Sequence, residues 1–122
     1  AAAPSAVLIM VSSCSDGHGG ESFYRALRDC VSPQKLTEEI LATPQDRTRP
    51  DQWETQILCR VLCKHHVIYV TDPAQRKTVE DMKIAWAPDV DAALEEARRI
   101  KGADAHLVVI PNGISVMVRE SV

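Results

Sequence analysis

The segment Ser12-Ser13-Cys14-Ser15-Asp16-Gly17-His18-Gly19-Gly20 gathers groups that could do chemistry and holds three of the five glycines in the chain. Glycines let the backbone approach a ligand closely. A helix that begins after Gly20 offers unpaired N–H groups, which favour an anion. Asp16 and His18 add titratable side chains. A tight strand-to-helix turn with no ligand would use the same residues. The segment lacks the Gly-Lys-Ser/Thr ending of a P-loop and the Gly-x-Gly-x-x-Gly dinucleotide fingerprint. Cys14 and His18 could form a thiol nucleophile with its base, because a helix start lowers a thiol pKa; the sequence shows no third group to orient them. Cys59 and Cys63, followed by His65 and His66, share a helix face. Zinc sites normally use tighter spacing and a second pair, so small helix thiols of ordinary packing are the preferred reading, and no metal site is expected. Gln52, Trp53 and Gln56 stand on the first turns of one helix. Trp53 falls at the edge of an apolar arc formed with Ile57, Leu58, Val61 and Leu62, beside Gln56 and Arg60. There a ring could pack its body inward and keep one side and its indole N–H for a ligand; a plain core tryptophan is the alternative.

The elements that would position these groups alternate between strand and helix. Residues 7–11, Val-Leu-Ile-Met-Val, form a continuous apolar run suited to a strand buried on both faces. Residues 21–30 read as a short helix. Ser32 caps a second, with Pro33 at its first position, running to about residue 42. Residues 43–49 are a loop. Pro50 opens a third helix, to about residue 64. Strands follow at 66–70 and 83–86, with an ambiguous helical turn or two at 74–81 between them. Asp89 caps a helix to Lys101, which Gly102 ends. Residues 107–110 predict a fourth strand, Pro111-Asn112-Gly113 a turn, and 115–118 an edge strand. The expectation is a three-layer α/β fold: a mainly parallel sheet of about four to five strands with helices on both faces.

The chain has 122 residues, 45% hydrophobic and 25% charged, with net charge −3. This length suits one domain over residues 1–122, able to bury about two-thirds of its unfolded surface without a disulfide or metal staple. The mild charge, absence of a basic run and scarcity of aromatics argue against nucleic acid as partner. No apolar stretch approaches the roughly 20 residues of a membrane span, so no membrane partner is expected. Residues 1–6 lack the basic start of a signal peptide and read as the tail of a helix or linker. The four cysteines have no secreted framework spacing, which points to reduced thiols and a cytoplasmic setting.

Several motifs in order resemble the C-terminal domain of the nickel-pincer lactate racemase family. They are Ser15-Asp16-Gly17-His18-Gly19-Gly20 with Phe23-Tyr24, Pro50-Asp51-Gln52-Trp53-Glu54-x-Gln56, and Val67-Ile68-Tyr69-Val70-Thr71-Asp72. Ala92-Ala93-Leu94-Glu95-Glu96-Ala97 and Val108-Val109-Ile110-Pro111-Asn112-Gly113 complete the set. The resemblance implies an isomerase that racemises or epimerises small 2-hydroxy acids. Its cofactor would be a nickel ion in a pincer made from a pyridinium-3-thioamide-5-thiocarboxylic acid mononucleotide. In that family a histidine takes the hydroxyl proton while the cofactor takes hydride from the α-carbon; hydride then returns to either face of the planar keto acid. The family's cofactor lysine, nickel-ligating histidine and acid/base histidines belong to an N-terminal domain. The resemblance therefore implies no catalytic residue in this fragment, no cofactor bound by it alone, and a missing N-terminal domain as its partner. What carries over is one wall of the interdomain cleft: Trp53, Asp16, Gly17, His18, Gly19 and Gly20, with Gln52 and Gln56 beside Trp53. The fragment by itself is expected to be inactive. The alternative is a non-catalytic module that binds a phosphate or other anion on the glycine-rich loop.

Overall fold

The computed structural model describes residues 2–119. Residue 1 of the expected leading segment lies outside them, and residues 3–6 make a turn closed by Ala6 N–H to Ala3 O rather than the end of a helix. Strands β1 (Val7–Val11), β2 (His66–Val70) and β3 (Ala85–Ala87) form a parallel sheet in the order β1-β2-β3. Val7 pairs with His66 and Val11 with Val70, and Ile68 pairs with Ala85. Helices α1 (Glu21–Asp29), α2 (Pro33–Ala42), α3 (Gln52–Leu62), α4 (Arg76–Asp81) and α5 (Val90–Lys101) cover it. The ambiguous stretch after Asp72 resolves as a 3-10 turn at Pro73–Gln75 leading into α4.

Successive strand residues point to opposite faces, and the two faces carry separate apolar clusters. On one side Val67, with Leu8, Tyr69 and Trp86, packs against Leu27 of α1, Leu36 and Ile40 of α2, Cys59 of α3 and Val79 of α4. On the other, Ile68, Val70 and Ala87 meet Ala93 of α5, with Val7, Ile9 and Ala97 around them. Small alanines let α5 lie close to the sheet. Two helices begin as their sequences dictate: Ser32 accepts from Lys35 N–H and Asp89 from Ala92 N–H.

Further features depart from the sequence reading. The third strand runs Ala85–Ala87 rather than 83–86, since Lys83 takes a left-handed φ of 65°. The sheet has three strands among the described residues, not four to five: residues 107–110 and 115–118 form no ladder and lie exposed. An apolar β-branched run states what a segment would bury, not that a partner strand is within reach. The third helix starts at Gln52, because Asp51 before it takes a left-handed φ of 59° and makes Pro50-Asp51 a turn. Its buried line is also different. Thr55 and Cys59 face the core, while Trp53 and Ile57 stand on the outer side at 63% and 52% exposure.

Candidate functional site

The glycine-rich loop leaves the carboxyl end of β1. Ser12 N–H extends the ladder to Val70 O, and Thr71 Oγ1 donates to Ser13 O. The chain then turns sharply: Cys14 has φ 51°, Gly17 N–H returns to Cys14 O, and Gly17 and Gly19 sit at φ 76° and 84°. That left-handed region strains a residue with a Cβ, which explains glycine at both positions. Asp16, Gly17 and Gly19 are exposed, and His18 and Gly20 half-buried.

Gly20 is the N-cap of α1 in extended conformation, and no side chain caps that helix. A methyl group added to Gly20 would come 3.1 Å from Asp51 Oδ2. The loop therefore abuts the start of α3, which also lacks a side-chain cap. This contact brings the loop and the Gln52-Trp53 turn, 30-odd residues apart in sequence, to one end of the domain. Gln52 Oε1 accepts from Arg49 N–H. Gln56 is half-buried behind it. The Trp53 ring does not pack inward as an arc-edge residue would; most of it faces solvent. A concavity of 440 Å³ opens between α1, α2 and the start of α3, and Gln52 lines it, but Trp53, Gln56 and the residues 16–20 do not.

His18 is held by groups the sequence reading missed. Its ring stacks on Tyr24 with centroids 4.5 Å apart and planes 10° from parallel, and its Nε2 lies 3.5 Å from Glu21 Oε2. Its Nδ1 is buried without a protein partner. Tyr24 donates its hydroxyl to Asp81 Oδ2 at 2.5 Å, and Lys77 donates to the same oxygen at 2.7 Å. Arg28 lies 5.5 Å from the Tyr24 ring centroid. Hydrogen bonds from Lys77 first, and from Tyr24, hold the Asp81 carboxyl below its ordinary value of 3.8. The bond to Asp81 raises the Tyr24 hydroxyl above its ordinary 10.0. The depressed acid contributes stability that is present above pH 3.8 and lost as pH falls through its folded value. The raised phenol contributes stability that is present below pH 10 and lost as pH rises through its folded value. The network should thus stay intact between about pH 4 and 10. Tyr24 ring resonances followed by NMR should show an acid-side change below that window, and Asp81→Asn should remove that acid-side change. An acid-side change that persists in Asp81→Asn would assign it elsewhere.

The contacts of His18 run to Tyr24 and Glu21, so the structure shows no thiol–imidazole pair with Cys14. Cys59 is fully buried, and burial pushes its thiol up to about 11; Cys63 on the next turn is exposed. Among the described residues, no three His, Cys, Asp or Glu side chains come together as a metal site. No helix among them is long and apolar enough to cross a membrane.

Fold and site together define a class: a small parallel α/β domain whose glycine-bearing loop, two helix starts without side-chain caps and an exposed tryptophan share an open end. Residues 1–118 match the family described as the lactate racemase C-terminal domain, and the chain belongs to that family. It is 46% identical over 114 residues to a lactate racemase of Thermoanaerobacterium thermosaccharolyticum, covering 93% of this chain and 27% of that protein. It is 40% identical over 112 residues to the lactate racemase of Lactiplantibacillus plantarum, covering 92% and 26%. The solved lactate racemase apoprotein from T. thermosaccharolyticum superposes with TM-score 0.92 at 45% identity, over 97% of this chain and 28% of that one. The chain thus spans about a quarter of the length of these relatives.

Proposed function

We infer that residues 1–122 form one domain of a longer nickel-dependent isomerase acting on a small 2-hydroxy acid, in a reducing, cytoplasmic setting. Family membership supports the reaction class, and four unpaired cysteines support the compartment. The domain's task is to close one side of the active site. The observation that carries this is that Asp51, at the start of α3, lies close to Gly20, so that the loop and the turn bearing the exposed Trp53 share one end of the domain. The family resemblance assigns the nickel-pincer nucleotide and the acid/base groups to the rest of the protein. This chain's own residues bind and orient. Backbone N–H groups at the start of α1 meet the substrate carboxylate, Trp53 covers its carbon face and excludes water, and Asp16 and His18 line the rim.

Substituting Gly19 by Val in the longer enzyme tests the assignment. A Cβ at φ 84° forces the loop to move, and loss of a charge-assisted hydrogen bond should raise the KM for lactate by about tenfold or more. kcat should fall less. An unchanged KM with a visibly displaced loop would remove the loop from substrate binding. Tight phosphate binding with no racemisation by the longer protein would favour an anion-binding module instead.

A further inference from the structure

After α5 the chain runs through residues 103–119 without helix or strand. Leu107, Val108, Val109 and Ile110 are nevertheless four apolar residues in a row, exposed by 60%, 73%, 76% and 44%. Ile114, Val116, Met117 and Val118 prolong the exposed apolar stretch. In extended chain these side chains alternate between two faces, so both faces of 107–110 are apolar. Such a run suits a strand covered on both sides, and a bare one is an aggregation hazard. The tail departs from a fixed place. Lys101 Nζ donates to Ser5 O, which ties the end of α5 to the entry of β1, at the opposite end of the sheet from the glycine-rich loop. The solved relative superposes on so much of this chain that the match takes in the tail, and most of that relative's length lies outside the match.

We propose that residues 107–110 are a strand whose sheet is built by the remainder of the longer polypeptide, so that the tail fastens this domain to the rest of the enzyme from the side opposite the cleft. The proposal rests on the reading that these residues belong to a longer racemase. The occupant is that remaining polypeptide: the tail's two apolar faces call for a covered sheet position, and the relatives carry nearly three-quarters of their length beyond the match.

Amide hydrogen exchange on the longer protein tests this. Amides of 107–110 should exchange at least roughly 100-fold more slowly there than in the 122-residue chain, independently of protein concentration. Val108→Asp and Val109→Asp should each reduce that protection, because each removes one covered face. Exchange as fast as in the 122-residue chain would overturn the proposal. So would protection that rises with concentration alongside a dimer mass, which would assign the tail to a second copy. Lactate racemisation is measured on the same sample. An active protein with an unprotected tail sinks the strand alone, while an inactive protein with a protected tail sinks the racemase reading alone.

Discussion

Trp53→Phe in the longer enzyme is expected to lower lactate racemisation by about 100-fold while changing folding stability by less than about 0.5 kcal/mol. The ring is 63% exposed on the second residue of α3, so it contributes little to this domain's core. It follows closely on the turn at Asp51, and Asp51 lies against Gly20. Phenylalanine keeps a flat apolar body but loses width and the indole N–H donor. A substrate less well covered reacts from a poorer geometry, and small misplacements near the reacting atoms carry large rate penalties. Steady-state kinetics and a thermal melt on one preparation separate the possibilities. Full activity in Trp53→Phe would remove the residue from the site; activity lost only in step with melting temperature would make it a packing residue.

Leu27→Ala is expected to have the largest effect on stability, about 2–5 kcal/mol. Leu27 is fully buried and joins α1 to Leu36, Ile40 and Cys59 beneath the sheet. Domains of this kind hold only about 5–15 kcal/mol in total, so the urea midpoint should fall sharply. Leu41→Ala makes the control: Leu41 is 70% exposed on α2, and its loss should stay within about 0.5 kcal/mol. Equal midpoints for the two variants would mean that the core is not where Leu27 lies.

The parts legible in the sequence were those with local physical signals. The apolar run at Val7–Val11 became a parallel strand, though at the edge of the sheet and half-buried rather than covered on both faces, and Ser32 and Asp89 started helices where their side chains can cap them. The glycines of the loop marked a tight strand-to-helix turn, and Gly17 and Gly19 take left-handed φ in it. The rest depended on partners distant in the chain. Val108 and Val109 look like Val67 and Ile68, yet nothing in the run says which has a neighbouring strand. A helical wheel put Trp53 and Ile57 on the apolar arc of α3 and gave Thr55 no part in it. In the fold Thr55 is buried at 2% exposure, because its hydroxyl is satisfied by Asp51 O, and this turns Trp53 outward. Tyr24 and Asp81 are 57 positions apart, so no spacing rule could have paired them behind His18.

The central claim is that this chain supplies one wall of a 2-hydroxy-acid racemase and none of the groups that react. Conversion of one lactate enantiomer to the other, followed by chiral chromatography, tests it most directly. The longer protein, supplied with nickel and its pincer nucleotide, should bring either enantiomer to an equal mixture, and the purified 122-residue chain under the same conditions should convert neither. Turnover by the 122-residue chain alone would contradict the account, as would a folded, cofactor-loaded longer protein that leaves both enantiomers unchanged.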